Sequence, residues 1–399
     1  MSARVLQPCG IRSQPVNFQA PPPLSLYIHI PWCVRKCPYC DFNSHEARGG
    51  IPEKEYIAAL VRDLELALPQ IWGRKVYTVF FGGGTPSLLS GEAVAEILRQ
   101  VRMLLPLDLN AEITLEANPG TVEADKFALF KDAGVNRLSL GIQSFNDVHL
   151  QALGRIHSAD EAKRAIEVAQ RQFDNINLDL MYALPQQTLS EALQDVQTVL
   201  QFKPQHLSCY HLTLEPNTLF AHQPPEVPDD DASSEMQQRI EELLAAHGYE
   251  HYETSAFALP KKQSRHNLNY WQFGDYLGIG AGAHSKLSFH DRVLRQARYK
   301  QPQAYLEAVA GGAPVQEEHE VAGKDIAFEF MMNVLRLNGG FDSALFQERT
   351  SLPLFLIRHE LEEAEKRGLL LREGQRIAPT EMGRRFLNDL LQIFLAAKH

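Results

Sequence analysis

The chain has 399 residues and a formal net charge of −10, and 44% of its residues are hydrophobic. This length suits two or three domains of ~100–200 residues each, and the apolar content is ample for a globular core. The acidic balance argues against nucleic acid as a partner, because phosphate binding requires a cationic surface. No run approaches ~18 consecutive apolar residues, so we expect no stable insertion into a membrane.

Residues 1–24 are predicted to form a flexible leader. They lack the apolar segment of a secretory signal, and they are interrupted by Pro8, Pro15, Pro21, Pro22 and Pro23. Proline has no backbone N–H, so these residues also oppose the amphipathic helix of an organelle presequence.

Residues 25–214 alternate short apolar runs with amphipathic stretches. The predicted strands are Leu26–Ile30, Val76–Phe81, Glu112–Glu116, Arg137–Gly141, Ile176–Asp179 and His206–Leu212. The predicted helices are Lys54–Leu68, Glu92–Leu105, Glu123–Ala133, Ser158–Arg171 and Leu189–Gln201. This alternation is typical of parallel βα units. Six units are too few for an eight-stranded barrel, so we predict an α/β fold built on a partial (β/α)6 barrel, and a doubly wound sheet also fits the pattern.

Residues 215–320 are predicted to form an α+β extension of the barrel. Within them Glu235–His247 has a helical pattern and Glu250–Phe257 an extended one. Gly278, Gly280 and Gly282 indicate a turn, although such a glycine pattern is weak as a motif on its own.

Residues 321–399 have the pattern of a winged-helix-like domain. The predicted helices are Phe328–Leu337, Leu354–Gly368 and Thr380–Phe394, and a predicted β-hairpin covers residues 368–378. Domains of this kind often bind DNA, but residues 321–399 contain 11 Lys or Arg and 11 Asp or Glu. This balance favours packing or docking over DNA binding.

Three of the five cysteines, Cys33, Cys37 and Cys40, form a CxxxCxxC pattern. Three thiolates can hold three irons of a [4Fe–4S] cluster and leave the fourth iron open to another ligand. A structural zinc site that uses His29 or His45 as fourth ligand is an alternative, although such sites more often use two paired clusters of ligands. A disulfide is less probable, because this long chain does not resemble a small secreted scaffold.

Polar residues or glycines follow each of the six predicted strands. In chain order they are the cysteine loop, Gly82-Gly83-Gly84-Thr85-Pro86, Glu116, Gln143, Asp179 and His211. A single Glu or Gln in such a place is about as often a cap or loop anchor, and three glycines are often only a turn. The complete set is more specific, because parallel βα barrels place their active sites at the carboxyl ends of their strands.

These residue types suit S-adenosylmethionine, whose amino nitrogen and carboxylate oxygen can bind the open iron. Gly83 and Gly84 allow the backbone to approach a ligand closely. Glu116 and Asp179 can accept hydrogen bonds from ribose hydroxyls or an amine. The remaining predicted contacts are Arg155, which offers a fork for a carboxylate, and Gln143, Tyr27 and Tyr39.

Three segments carry a family resemblance: Tyr27-Ile28-His29-Ile30-Pro31-Trp32-Cys33, Gly82-Gly83-Gly84-Thr85-Pro86-Ser87 and Leu140-Gly141-Ile142-Gln143-Ser144-Phe145. With the CxxxCxxC pattern, they resemble the radical S-adenosylmethionine superfamily, and within it the oxygen-independent coproporphyrinogen III oxidase-like family. The resemblance covers nearly the whole chain. It implies that the residues contacting S-adenosylmethionine are Tyr27, Gly83, Gly84, Thr85, Glu116, Gln143, Arg155 and Asp179.

Two departures from the oxidase pattern indicate the heme-chaperone branch of this family. Phe42 stands where the oxidases carry a further cysteine, and an HNxxYW motif covers residues 266–271. The resemblance implies that His266 takes part in heme binding. Imidazole is a common axial ligand of heme iron, and Tyr270 and Trp271 offer flat apolar surface. A buried structural histidine is the alternative role for His266.

The function expected from this resemblance is heme chaperoning, in which heme passes to an acceptor protein that the sequence does not identify. A one-electron donor would serve the cluster, and unpaired cysteines with a reduced metal site are typical of a cytoplasmic protein. The alternative is coproporphyrinogen III oxidase activity, which decarboxylates two propionates of the porphyrin precursor.

Overall fold

The structure is a computed structural model that describes residues 16–121 and 124–395. The first half contains, in chain order, β1 (Leu24–Ile30), β2 (Trp32–Cys33), β3 (His45–Glu46), α1 (Glu53–Ile71), β4 (Val76–Gly83), α2 (Gly91–Leu104), β5 (Leu107–Ala117), α3 (Ala124–Ala133), β6 (Arg137–Gln143), α4 (Asp147–Ala152), α5 (Ala159–Gln172), β7 (Ile176–Tyr182), α6 (Leu189–Gln201) and β8 (His206–His211). The second half contains α7 (Leu219–His222), α8 (Asp230–Ala246), β9 (Glu250–Glu253), β10 (Ala256–Ala258), α9 (Arg265–Trp271), β11 (Asp275–Ile279), β12 (His284–Ser288), β13 (Val293–Arg298), α10 (Pro302–Ala310), β14 (Val315–Glu320), α11 (Gly323–Val334), β15 (Phe341–Asp342), α12 (Ser343–Thr350), α13 (Arg358–Lys366), β16 (Leu370–Glu373), β17 (Arg376–Pro379), α14 (Glu381–Arg385) and α15 (Leu387–Phe394).

The six predicted barrel strands lie side by side in sequence order, β1-β4-β5-β6-β7-β8, and all pairs are parallel. A doubly wound sheet reverses its strand order at a switch point, and this sheet does not. The α/β class and the partial (β/α)6 barrel are therefore confirmed. All six carboxyl ends meet at one edge of the barrel, where the predicted site residues lie.

Helix capping explains why several helices begin where the sequence predicts. Ser158 and Glu161 form a capping box at α5, and Thr188 and Glu191 form another at α6. In each box the hydroxyl and the carboxylate accept hydrogen bonds from backbone N–H groups that the first turn leaves unpaired. The predicted start of the third helix at Glu123 lies outside the described residues.

The predicted extension continues the barrel sheet at both edges. β11 pairs in parallel with β1, with Leu24 opposite Asp275 and Ile28 opposite Ile279. Antiparallel β12, β13 and β14 follow outward, and β10 and β9 extend the other edge beyond β8, which gives a sheet of twelve strands. The strands after residue 270 consequently form a wall beside the carboxyl end of β1.

The C-terminal region has the winged-helix-like arrangement that the sequence predicts. β15, β17 and β16 form an antiparallel sheet, and α11 packs its Phe330 ring against Phe341 and Phe346. The sequence did not predict α12. Val16 and Phe18, at the described end of the predicted leader, are buried in the same apolar cluster. None of the described helices combines the length and the apolar composition needed to cross a bilayer.

Candidate functional site

The carboxyl ends of the parallel strands surround an open cavity of about 1390 Å³. Its lining includes all three clustered cysteines and nine further residues that the sequence predicts as cofactor contacts: Tyr27, Tyr39, Gly83, Gly84, Thr85, Glu116, Gln143, Arg155 and Asp179. These residues come from six strands and from the loops that follow them. The structure therefore brings the predicted set together, with His266 as the exception.

The cysteine loop follows β1 and lies along the rim of the cavity. Cys33, Cys37 and Cys40 are unpaired and partly exposed. The Thr85 Oγ1 hydroxyl lies 3.6 Å from Cys33 Sγ, and Arg155 Nη1 lies 3.7 Å from Cys37 Sγ. Burial raises the pKa of the Cys33 and Cys40 thiols, so a bound cation is needed to hold them as thiolates at neutral pH.

The contacts of His29 and His45 bear on the zinc site that the sequence leaves as an alternative. Within residues 16–121 and 124–395, no three His, Cys, Asp or Glu side chains converge as ligands of one ion. His29 Nε2 lies 2.8 Å from the Asn43 carbonyl oxygen, and His45 Nε2 lies 3.3 Å from that of Lys300. Both proposed fourth ligands of a zinc site are thus engaged elsewhere.

The glycine turn at Gly83 and Gly84 forms part of the cavity wall and has no room for a side chain. Gly83 has φ of +112°, and a Cβ atom there would lie 2.5 Å from His29 Cε1. A Cβ atom at Gly84 would lie 2.5 Å from the Trp32 carbonyl oxygen. The Gly84 N–H donates to the Ile30 carbonyl at 2.7 Å, which holds the turn against the strand that leads into the cysteine loop. Gly83 and Gly84 both line the cavity, so their backbone borders the space that a ligand could occupy.

Two carboxyl groups line the cavity from strands on either side of β6: Glu116 from β5 and Asp179 from β7. Burial and the Asp179 charge raise the pKa of Glu116 to about 8. Burial also raises the pKa of Asp179, although Ser139 Oγ at 3.1 Å and Asn177 Nδ2 at 2.8 Å both donate to it. The two carboxyl groups repel each other when both are ionised. Hydrogen-bond donors or a positive charge on a ligand would offset this repulsion, so the pair is suited to hydroxyl or amine groups.

Arg155 connects β6 to the cysteine loop, because its guanidinium contacts both the Gly141 carbonyl and Cys37 Sγ. Its Nη2 donates to Asn118 Oδ1 at 2.6 Å and to the Gly141 carbonyl at 2.8 Å. Tyr39 lies beside it, and burial raises the pKa of the Tyr39 phenol. Gln143 ends β6 with φ of +68°, which is uncommon for a residue with a side chain. These bonds fix the guanidinium at the edge of the cavity, where a carboxylate can reach it.

His266 lies in α9 behind the cavity wall and does not line the cavity. Its Nδ1 is 2.7 Å from Thr78 Oγ1, and its Nε2 is 2.9 Å from the Tyr270 hydroxyl. The side chain is buried and packs against the Phe80 ring at 4.9 Å between ring centres. In this conformation both ring nitrogens of His266 have hydrogen-bond partners. One partner, Tyr270 of the same HNxxYW motif, lines the cavity.

The strands and the helix of the extension form a second wall, which we call the extension wall. Its members in the cavity lining include Tyr270, Trp271, Tyr276, His284, Arg295 and Lys300. Arg295 is ion-paired with Glu329 at 2.6 Å and donates to the Tyr276 hydroxyl at 2.7 Å. The buried Trp271 Nε1 has no hydrogen-bond partner in the described part of the chain. This wall is therefore aromatic and cationic, unlike the acidic strand ends.

The sequence analysis did not predict four polar strand residues that also contribute to the site. Arg137, Ser139, Asn177 and Ser208 also line the cavity. Strand alternation contained the signal, because residues two apart on a strand share a face and Asn177 precedes Asp179 by two. His284 carried no comparable signal, since its place beside the cavity depends on the pairing of β11 with β1.

Comparison with known proteins agrees with the fold and the cavity. Residues 27–199 match the radical SAM superfamily, and residues 321–386 match the HemN C-terminal domain. The solved structure of the Escherichia coli coproporphyrinogen III oxidase HemN superposes with a TM-score of 0.80 over 94% of this chain and 91% of its own, at 23% identity. Fold and cavity thus define a radical S-adenosylmethionine protein.

Two relatives narrow the assignment. The heme chaperone HemW of Escherichia coli K12 is 50% identical over 94% of this chain and 99% of its own. The heme chaperone HemW of Haemophilus influenzae is 47% identical over 94% of this chain and 98% of its own. The chain belongs to the HemW family of heme chaperones.

Proposed function

We propose that this protein binds heme and transfers it to an acceptor protein, and that it carries a [4Fe–4S] cluster and S-adenosylmethionine. The observation that supports this most directly is the single cavity shared by three unpaired cysteines, a close-approach glycine turn and two strand-end carboxyl groups. The relatives that are about half identical along their whole length are named heme chaperones.

Cys33, Cys37 and Cys40 would hold three irons of the cluster, which supplies one-electron chemistry when bound. Thr85 and Arg155 donate toward two of the sulfurs, and such donors stabilise thiolate ligands. The glycine turn at Gly83 and Gly84 leaves room for S-adenosylmethionine beside the fourth iron.

The carboxyl pair and the guanidinium then orient the small molecule. Glu116 and Asp179 accept hydrogen bonds from its hydroxyl or amine groups, and Arg155 meets its carboxylate. Tyr27 reaches the same space, with its hydroxyl 3.1 Å from His29 Nδ1. A one-electron donor and a cytoplasmic location belong to this proposal, since such a cluster requires a reducing compartment.

Heme would occupy the remaining space against the extension wall. A cavity of about 1390 Å³ exceeds the ~300–1,000 Å³ that one small ligand usually occupies, so a second, larger molecule has room beside the first. The role predicted for His266 in this site stays a prediction. Its present bonds support an indirect contribution through Tyr270.

The alternative function, coproporphyrinogen III oxidase activity, is favoured by the fold match to HemN. Phe42 counts against it, because this exposed side chain stands two residues after Cys40 where the oxidase pattern has another cysteine. The chain therefore lacks a thiol at this position of the cysteine loop.

The two functions are separated by experiments on the anaerobically reconstituted full-length protein. We expect about four irons and four sulfides per chain, near-stoichiometric hemin binding in a Soret titration, and no turnover of coproporphyrinogen III. Turnover with a reductant and S-adenosylmethionine would establish the oxidase instead. Zinc without acid-labile sulfide would remove the cluster from the proposal.

Transfer is tested separately from binding. Apomyoglobin, a passive heme trap, reports the rate at which bound heme dissociates spontaneously. A heme-free acceptor protein should take heme from the loaded chaperone faster than this rate. If heme moved to every acceptor no faster than to apomyoglobin, the protein would bind heme without acting as a chaperone.

A further inference from the structure

Four histidines line the cavity, and they differ in whether their ring nitrogens are engaged: His29, His45, His211 and His284. His29 bonds to Tyr27 and Asn43, and His45 bonds to the Lys300 carbonyl. The rings of His211 and His284 have no hydrogen-bond partner among residues 16–121 and 124–395. Only these two can offer a lone pair to a ligand without breaking an existing contact.

His284 begins β12 on the extension wall, opposite Ala297 of β13. The imidazole is exposed and lines the cavity, and the charged groups that act on it electrostatically are Lys300, Arg295 and Glu317. The Lys300 ammonium has no ion-pair partner in the described chain, whereas Arg295 is neutralised by Glu329. An unpaired cation thus lies beside an unengaged imidazole.

His211 has a different environment at the end of β8. Its ring meets Tyr182 edge-on at 5.4 Å between centres, and the charged group that acts on it electrostatically is the carboxylate of Asp230. A dianionic ligand such as heme is repelled by that carboxylate and attracted by Lys300. The charge around the two histidines therefore favours His284.

We propose that His284 is the axial ligand of heme iron in this protein and that Lys300 pairs with a heme propionate. The proposal rests on the proposed heme binding. Neutral imidazole is a common axial ligand, and the neighbouring rings of Tyr276 and Trp271 offer flat surface for a macrocycle. His266, whose two nitrogens are held by Thr78 and Tyr270, positions Tyr270 in this wall.

The test compares hemin with protoporphyrin IX, which has the same propionates and no iron. Cluster-loaded full-length protein is titrated with each, by Soret absorbance and by fluorescence. His284→Ala should weaken hemin binding by about tenfold or more, since even changes to groups that support a metal ligand cost 10–100-fold. It should leave protoporphyrin IX affinity unchanged. His284→Met should shift the Soret maximum, because a thioether replaces the imidazole.

Controls separate ligation from general damage. His211→Ala alters an exposed cavity histidine of the same type and should leave hemin affinity and spectrum as in the wild type. Lys300→Gln should weaken both porphyrins to a similar extent, because both carry propionates. Unchanged affinity of Lys300→Gln for both porphyrins would remove Lys300 from the site.

Two results would overturn the assignment of His284. One is wild-type hemin affinity and an unshifted spectrum in His284→Ala. The other is equal weakening of hemin and protoporphyrin IX, which would indicate a shape contact without ligation. Absence of hemin binding by the wild-type protein would instead overturn the proposed function on which the assignment rests.

Discussion

Asn43 is the side chain that holds the cysteine loop against the extension. Its Nδ2 donates to the Ala281 carbonyl at 3.0 Å and to the Lys300 carbonyl at 2.9 Å. Asn43→Ala removes both bonds, at a net cost of about 0.5–1.5 kcal/mol each, or about 1–3 kcal/mol together. If that cost falls on local opening of the loop, the open population rises about 5–150-fold.

The expected result is faster loss of the cluster from Asn43→Ala. Anaerobic, reconstituted protein is mixed with an iron chelator, and the decay of cluster absorbance is followed. When the loop opens and closes rapidly relative to capture of iron, the decay rate follows the population of the open state. The variant should therefore release iron at least several-fold faster than the wild type.

Asn338→Ala is the matched control, because Asn338 Nδ2 donates to the His251 carbonyl at 2.9 Å, far from the loop in the fold. It should lower the free energy of unfolding by about 1 kcal/mol without changing cluster release. Wild-type release by Asn43→Ala would refute the anchoring role. Equal acceleration by both variants would show that iron is lost through global unfolding.

Three further predictions concern the cavity itself. Gly84→Ala places a methyl group against the Trp32 carbonyl and should abolish measurable S-adenosylmethionine binding in equilibrium dialysis. Gly311→Ala, whose Cβ would make only ordinary contacts at 3.5 Å, should bind normally. Cys37→Ser should lose the cluster absorbance while its circular dichroism stays that of the wild type, and Cys209→Ser should keep the cluster. Because the folded state raises the pKa of Glu116 from 4.5 to about 8, it binds more protons than the unfolded state between these values, so stability should fall as pH rises through this window. Glu116→Gln should flatten that slope in urea unfolding at pH 5, 6, 7 and 8, and an unchanged slope would contradict the buried carboxyl.

The barrel could be predicted because its signals are local. Each strand is a short apolar run, and α6 was predicted as Leu189–Gln201, the range that the structure has. A capping box of Thr188 and Glu191 holds its first turn. The site followed from the barrel, since polar residues after consecutive parallel strands must meet at one edge. Twelve of the thirteen predicted site residues accordingly line one cavity.

The parts that were missed depend on contacts distant in sequence. No local pattern states that Asp275–Ile279 pairs with β1, about 250 residues earlier. The orientation of His266 depends on Thr78 of β4, which occupies one ring nitrogen. α12 was missed because Ser343–Thr350 has no clear apolar face, and its position is fixed by burial of Phe346.

The pairing of β11 with β1 brings the start of the extension wall close to the cysteine loop. The turn after β11 packs so closely on the cysteine loop that a Cβ atom at Gly280 would lie 2.5 Å from the His29 carbonyl oxygen, and one at Gly282 would lie 2.2 Å from Asn43 Nδ2. Four residues after Gly280, β12 begins with His284. Because packed backbone has little freedom to yield, a movement of the extension wall on ligand binding must be transmitted to the loop that carries the cysteines. The extension is therefore expected to support the cysteine loop at the proposed cluster site, although none of its side chains is expected to bind iron–sulfur.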